Sequence, residues 1–260
     1  MEERPARFDA ASVRESWDRA ADAYAQGQAS GRDYYRYEFL GPEQVAICGD
    51  VGELRLLDVG CGNGYFAREM AQRGARVTAI DISPRMIEHA LQRERAAPLG
   101  IDYRVGNAAE LAEHFEAESF DMAASCVALQ DMPEPATVLR GIRSLLRPGG
   151  RFVASIVHPC GDTPHRIWEH DAAGHKRWLC IDRYFDRGPI EHVWRRWAYD
   201  FVTTALHATL EDWLEWILGA GFRLRALREP RPSEQAIRAR PDLEDAGRVP
   251  YYLIFDLVRP

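Results

Sequence analysis

Short apolar runs alternate with amphipathic segments through the middle of the chain. The segments between the runs carry apolar residues three and four positions apart, which is typical of helices packed on one face. Such an alternation predicts a doubly wound α/β fold, with a mostly parallel sheet and helices on both of its faces. The runs predicted as strands are 54–59, 75–81, 101–105, 119–125 and 151–157.

The flanking regions have other patterns. Two helices are predicted before residue 50, whereas residues 158–207 lack helical periodicity, and WAYDF (197–201) alternates like a strand. A helix beginning at Thr209, with Asp212 at the capping-box position, precedes two closing strands in 222–230 and 251–260. We therefore expect a seven-stranded sheet divided as an N-terminal helical cap (1–50), a core (51–157), an inserted lid (158–207) and the C-terminal part of the core sheet (208–260).

The stretch DVGCGNG joins the first strand to the next helix, and it holds Gly60, Gly62 and Gly64. Three glycines at alternate positions suggest that a ligand approaches the backbone closely. A strand, a glycine turn and a helix start form a nucleotide-like site at the carboxyl edge of a sheet. The third glycine arrives one residue too early for the dinucleotide pattern G-x-G-x-x-G.

Two carboxylates accompany this turn. Asp81 ends the second strand, where a group that only accepts hydrogen bonds can hold both ribose hydroxyls. Asp58 ends the first strand and suits a cationic amino group better than a pyrophosphate. Together they favour S-adenosylmethionine over a nicotinamide dinucleotide as the ligand.

Five motifs in order, DVGCGNG, VTAIDIS, VGNAAEL, SFDMAASCVALQDM and LLRPGG, resemble those of the class I S-adenosylmethionine-dependent methyltransferases of small molecules. The resemblance implies a Rossmann-like methyltransferase fold, S-adenosylmethionine as cofactor and S-adenosylhomocysteine as product. It implies that the glycines approach the methionine and ribose portions, that Asp58 lies near the amino group, and that Asp81 holds the ribose. The other cofactor-binding residues that it implies are Ile82, Met86, Asn107, Ala108, Cys126 and Val127.

Asn107 departs from the family, which often has an aspartate there to accept from the adenine amino group. Its amide oxygen can still accept that hydrogen bond. Gly64 can instead serve helix packing alone, and Ile82 and Met86 can be core residues. Gln130, with Cys126 and Val127, would line the entrance to the acceptor site.

The insertion is rich in aromatic residues that could bind a planar or apolar acceptor. We take Trp168, Trp178, Trp197 and Tyr199 as candidates, although a small satellite core would explain them equally well. Proton removal from a hydroxyl or ammonium acceptor favours histidine. His158 follows the fifth strand and His207 precedes the late helix, so both are candidate catalytic residues, with a structural role as the alternative.

Composition limits the partners. The 260 residues carry a net charge of −7, which gives no basic field for nucleic acid. Five cysteines without CxxC spacing indicate reduced thiols, and no spacing predicts a metal site. The start MEERPARFDA lacks the apolar run of a signal peptide, and no run is long enough to span a membrane. We expect a cytoplasmic monomer or homodimer.

The sequence therefore predicts a methyltransferase that acts on an O or N atom of a small molecule, aromatic or similar to a secondary metabolite. One alternative is a protein that binds S-adenosylmethionine for other chemistry or regulation. Others are an NAD(P)-dependent oxidoreductase and a protein or RNA methyltransferase, the last disfavoured by the acidic balance. The acceptor itself is not encoded in any recognised motif.

Overall fold

The computed structural model describes residues 7–31, 33–195 and 200–260. The α-helices are α1 (Ala10–Ala29), α2 (Gly41–Cys48), α3 (Tyr65–Ala71), α4 (Pro84–Ala96), α5 (Leu111–His114), α6 (Pro135–Leu145), α7 (Leu210–Gly219) and α8 (Glu234–Ala239). The strands are β1 (Arg55–Val59), β2 (Arg76–Asp81), β3 (Asp102–Val105), β4 (Phe120–Cys126), β5 (Leu146–Val157), β6 (His165–His170), β7 (Lys176–Asp182), β8 (Gly188–Trp194), β9 (Phe201–His207), β10 (Arg223–Arg228) and β11 (Tyr252–Val258).

Seven strands form one sheet in the order β10-β11-β5-β4-β1-β2-β3. Every neighbouring pair is parallel except those that involve β11, which runs antiparallel to both β5 and β10. The predicted fold class, a doubly wound and mostly parallel seven-stranded sheet, is confirmed. In this order β1 lies between β2 and β4, so the carboxyl ends of these three strands open onto one edge.

Local capping explains where several helices begin. Asp9 and Ser12 form a reciprocal capping box at the start of α1, and Thr209 forms one with Asp212 at the start of α7, as the sequence predicted. The Ser83 hydroxyl accepts from the amide of Met86 and so caps α4, which has Pro84 in its first turn. These caps satisfy amides that a helix start would otherwise leave without a partner.

Apolar side chains pack on both faces of the sheet. One layer places Phe66 and Met70 of α3 against β1 and β2. The other places Ile142 of α6 and Trp213 of α7 against Phe152 of β5. All of these side chains are buried, so the sheet has a core on each face, as expected for strands that read as continuous apolar runs.

The insertion 158–207 consists of two hairpins, the pairs β6–β7 and β8–β9. Most of the strand predicted at 197–201, including Trp197 and Tyr199, lies outside the described residues, and its last residue, Phe201, begins β9. The sequence did not predict the short helix α8. Among the helices of the described ranges, none combines the length and the apolar character needed to cross a membrane.

We predict that Trp213→Ala lowers the free energy of unfolding by about 3–5 kcal/mol, because the indole is 2% exposed and its removal leaves a cavity that the sheet cannot fill. Urea denaturation followed by circular dichroism measures this loss.

Trp178→Ala is the matched control, because that indole on β7 is 53% exposed. Its free energy of unfolding should change by about 0.5 kcal/mol or less. Equal losses in the two variants would contradict this description of the core.

Candidate active site

The glycine corner between β1 and α3 contains three glycines in the left-handed region, with φ of +72° at Gly60, +54° at Gly62 and +83° at Gly64. A Cβ on Gly64 would lie 2.4 Å from the hydroxyl of Tyr103, so packing explains that glycine. A Cβ on Gly62 would meet no atom within 4 Å, because this backbone faces open space. Gly60 and Gly62 line a cavity and Gly64 does not.

A cavity lies at the carboxyl edge of β1, β2 and β4, with about 1010 Å³ of empty space that includes its opening to solvent. Beside the glycine corner it is lined by every other predicted cofactor-binding residue. These are Asp58, Asp81, Ile82, Met86, Asn107, Ala108, Cys126 and Val127. The sequence motifs, which lie far apart along the chain, thus meet at one site.

Asp58 is the most unusual charge in this cavity. Its side chain is fully buried, and neither carboxylate oxygen forms a hydrogen bond of good geometry with the described residues. Burial raises the pKa of Asp58 to about 7 and the charge of Asp81 adds to the rise, whereas the backbone amide of Ala67 and the guanidinium of Arg36 oppose it. A buried carboxylate with free oxygens is suited to a cationic ligand group, which would restore its ionised form.

Asp81 is held in place by its neighbours on the chain. One carboxylate oxygen accepts from the amide of Gly62 at 2.8 Å and the other from the amide of Ser83 at 2.9 Å. Burial raises the pKa of Asp81 to about 6 against these two hydrogen bonds. A carboxylate has about four acceptor positions, so two remain for a pair of hydroxyl groups.

Arg36 also lines the cavity, and the sequence analysis missed it. Its guanidinium donates to Asp33 at 2.9 Å, to the hydroxyl of Tyr24 at 2.9 Å and to the sulfur of Cys126 at 3.2 Å. The residue lies in a five-residue π-helical turn before α2, which aromatic composition alone does not indicate. Because the cavity presents both Asp58 and Arg36, it can bind a group that carries an ammonium and a carboxylate.

The helix α1 covers one side of the cavity with Val13, Trp17, Tyr24 and Gln28. Asp18 fastens it to the start of α4 by accepting from the Ser83 hydroxyl at 2.6 Å. On its other side the rings of Trp17 and Tyr24 contact that of Phe201 on β9, with centroids 6.2 and 6.4 Å apart. The helix therefore bridges the cofactor half of the core and the second hairpin.

Neither predicted catalytic histidine lines the cavity. Nε2 of His158 lies 3.0 Å from Glu229, and its Nδ1 accepts from the amide of Cys160. The ring nitrogens of His207 each lie 2.9 Å from a backbone carbonyl, those of Asp162 and Tyr184. Both side chains are buried; His158 connects the insertion to Glu229 after β10, and His207 joins two segments within the insertion, so their placement favours the structural alternative.

Two of the predicted substrate-binding residues of the insertion, Trp168 and Trp178, also lie away from the cavity. The cationic groups of Lys176 and Arg248 lie over the ring of Trp168. The ring of Trp178 is exposed to solvent and contacts the guanidinium of Arg177. Trp197 and Tyr199 cannot be placed, since they fall outside the described residues. The aromatic walls come instead from Trp17, Tyr24 and Tyr65, of which the first two share the apolar face that helical periodicity assigned to α1.

The segment after β4 approaches the cavity in an unusual conformation. Val127 has φ of +53°, which a β-branched residue rarely adopts, and its amide donates to the backbone carbonyl and the hydroxyl of Ser155. Gln130 is buried and donates to the carbonyl of Val127, so it supports this turn without lining the cavity. Asp131, the next residue, does line it. Asn107 caps the turn after β3, since its amide oxygen accepts from Ala109.

Comparison with known proteins identifies the group to which this architecture belongs. The sequence profile of the family described as "Methyltransferase domain" matches residues 57–154. The ubiquinone biosynthesis O-methyltransferase of Xanthomonas axonopodis pv. citri is 38% identical over 104 residues, which are 40% of this chain and 43% of that protein. The match thus spans less than half of such curated relatives.

Solved structures extend the comparison along the chain. A didemethyltoxoflavin N1-methyltransferase from Burkholderia thailandensis, solved with its substrate and S-adenosylhomocysteine, shares the fold at 19% identity, with a TM-score of 0.55 over 92% of this chain and 88% of that one. The S-adenosylmethionine-dependent methyltransferase of Mesorhizobium loti is 32% identical, with a TM-score of 0.71 over 84% of this chain and 96% of that one. This chain belongs to the S-adenosylmethionine-dependent methyltransferase family.

Proposed function

We propose that this protein transfers a methyl group from S-adenosylmethionine to a hydroxyl oxygen of a small aromatic molecule. The observation that carries the proposal is the fully buried carboxylate of Asp58, which lines the cavity near the open backbone of Gly62 and forms no hydrogen bond of good geometry within the described ranges. An oxygen acceptor is supported by the curated relatives named O-methyltransferases.

The cavity residues fit the cofactor at three places. Asp58 would hold its ammonium group and Arg36 its carboxylate, while the two free acceptor positions of Asp81 would hold the ribose hydroxyls. Ile82 and Met86 would lie against the adenine. When bound, S-adenosylmethionine supplies an electrophilic methyl group on a sulfonium centre, with S-adenosylhomocysteine as the product.

The acceptor would bind beyond Cys126 and Val127, next to the aromatic wall of α1. The rings of Trp17 and Tyr24 offer apolar faces that suit a planar molecule. In the pocket, α1 excludes water and orients the acceptor, which are the main contributions of an enzyme to such a displacement. A nitrogen acceptor, a cytoplasmic location and a monomeric or homodimeric state stay predictions.

The direct test is incubation with S-adenosylmethionine and a set of probes, catechol, 3,4-dihydroxybenzoate and aniline, with mass spectrometry of the products. We expect methylated phenols together with S-adenosylhomocysteine. Methylation of aniline alone would replace oxygen by nitrogen as the acceptor atom. Binding of S-adenosylhomocysteine without transfer to any probe would favour the repurposed alternative, and binding of NAD in its place would contradict the proposal.

The cofactor contacts predict a difference between two ligands. Arg36→Met should weaken binding of S-adenosylhomocysteine by about 1–3 kcal/mol, since a charged hydrogen bond is lost. The same variant should leave 5′-methylthioadenosine, which lacks the amino-acid group, unaffected. Asp81→Asn should weaken both ligands, because both carry the ribose. Calorimetry of each pair measures these changes.

Asp102→Asn is the matched control, since that carboxylate is exposed on β3 and paired with Arg104. Neither affinity should change in this variant. If Arg36→Met weakened the two ligands equally, Arg36 would serve the folding of the site and not the ligand carboxylate.

The raised pKa of Asp58, about 7, predicts that cofactor binding depends on pH. A cationic ligand group stabilises the ionised carboxylate, so binding releases a proton wherever free Asp58 is protonated. The affinity for S-adenosylhomocysteine should therefore rise with pH by up to about tenfold per unit below pH 7 and level off above it. Calorimetry between pH 5.5 and 8.5, in buffers of different ionisation enthalpy, measures affinity and proton release.

In Asp58→Asn this proton release should shrink to the smaller part that comes from Asp81, whose pKa is raised to about 6. An affinity of the wild-type protein that is constant across the range would show that Asp58 does not contact the ammonium group.

A further inference from the structure

Three titratable side chains meet near the acceptor end of the cavity, and none belongs to the cofactor contacts described above. Asp131 lies in the short turn after β4 and lines the cavity. His192 projects from β8, and Asp162 lies in the segment between β5 and β6. Nε2 of His192 is 3.3 Å from the Asp162 carboxylate. The sequence analysis gave no role to any of the three.

The second hairpin brings His192 to this place. Residues of β8 alternate between exposed and partly buried, and Ile190, His192 and Trp194 form the partly buried face. His192 pairs with Thr203 on β9, and the hydroxyl of Thr203 accepts from the indole of Trp194 at 2.8 Å. Because β9 packs on the turn that contains Asp131, the hairpin places His192 near this turn, where its charge interacts with that of Asp131. Of the three side chains, Asp131 alone lines the cavity.

The charges in the cluster are arranged around Asp131. Burial raises the pKa of Asp131 to about 8, the protonated ring of His192 opposes the rise, and the charges of Asp162 and Asp81 add to it. Gln130 donates a long hydrogen bond of 3.4 Å to the same carboxylate. A carboxyl group that titrates near neutral pH at the wall of a cavity can take up a proton during a reaction.

His192 in turn depends on two carboxylates. Burial works to lower the pKa of His192, but Asp162 and Asp131 outweigh it and raise the pKa above the ordinary value, with Arg166 acting in the opposite direction. Arg166 also lies 3.6 Å from Asp162, and the ring of His207 contacts the Asp162 backbone carbonyl. Asp162 thus lies close enough to favour the imidazolium form of His192.

We propose that Asp131 is the catalytic base that accepts the proton of the acceptor hydroxyl, and that His192, paired with Asp162, is a positioning residue that favours the ionised form of Asp131. This inference rests on the proposed function. In the step, the O–H bond breaks and its proton passes to the Asp131 carboxylate. The acceptor oxygen bonds the methyl carbon, and the electron pair of the broken C–S bond stays on sulfur.

The test uses the full chain saturated with S-adenosylhomocysteine and catechol as the probe. Nuclear magnetic resonance follows the titration of the His192 ring in the wild type and in Asp131→Asn. Without catechol, Asp131→Asn should lower the His192 pKa by about half a unit or more, since an anion that favours the imidazolium is lost. Catechol should raise the His192 pKa in the wild type, because a hydroxyl that donates to Asp131 favours its anion, and should leave Asp131→Asn unchanged.

The exposed pair of His175 and Asp171, with Nδ1 3.2 Å from the carboxylate, provides the matched control. The titration of His175 should be the same in all samples, and His175→Gln should leave the response of His192 to catechol intact. If Asp131→Asn does not move the His192 pKa, or if catechol does not move it in the wild type, the proposal is wrong. Product analysis with the probe set distinguishes this from failure of the proposed function, in which no phenol would be methylated by the wild-type protein.

Where a phenol from the probe set is methylated, the pH profile gives a second readout. The wild-type kcat/KM should rise with pH up to about 8, the pKa of Asp131. Asp131→Asn should remove this rise, and His192→Gln should move it to higher pH, since the opposing positive charge is gone. A purely structural role of His192 would lower the rate without moving the midpoint, and that result would overturn its assignment.

Discussion

The organisation of the site depends on one constraint, the burial of a carboxylate that the protein does not pair. Asp58 lies on the strand flanked by β2 and β4, opposite Ala79 on one side and Ala124 on the other, so its backbone cannot move away from the cavity. An ionised carboxylate in such a place is unfavourable unless a cation or several donors accompany it. In the free protein, protonation of Asp58 lessens this free-energy cost. A bound cationic group would instead stabilise the ionised carboxylate.

The neighbouring features follow from that constraint. Gly62 leaves the backbone bare beside the carboxylate, and Asp81 is oriented by the amide of Gly62 itself, so the two acidic groups share one turn. Arg36 adds a positive charge to the wall of the same cavity. Its guanidinium is held in place because it donates to Asp33 and to the Tyr24 hydroxyl. The site therefore keeps opposite charges close together, and a zwitterionic ligand can bind both.

The described part of the insertion packs on two other regions of the protein. Its first hairpin packs against the C-terminal region, where the carbonyls of Lys176 and Arg177 accept from Arg248, and its second hairpin supports α1 through Phe201. Among the described residues, the aromatic side chains that line the cavity belong to α1 and α3. The helix α1 contacts both α4, which follows Asp81, and β9 of the second hairpin, so it connects these two parts of the protein.

The sequence by itself determined the strand and helix rhythm, the capping boxes and the glycine corner, because these depend on residues within a few positions of one another. It also selected Asp58 and Asp81, which the structure brings to one cavity, because each lies at the end of a recognisable parallel strand. Only the tertiary structure decided that Arg36 and Asp131 line the cavity, and that His158 and His207 do not. The direction of a side chain in a π-helical turn or a hairpin depends on register and on distant packing. Neither strand register nor packing between distant segments can be predicted from the pattern of residue types.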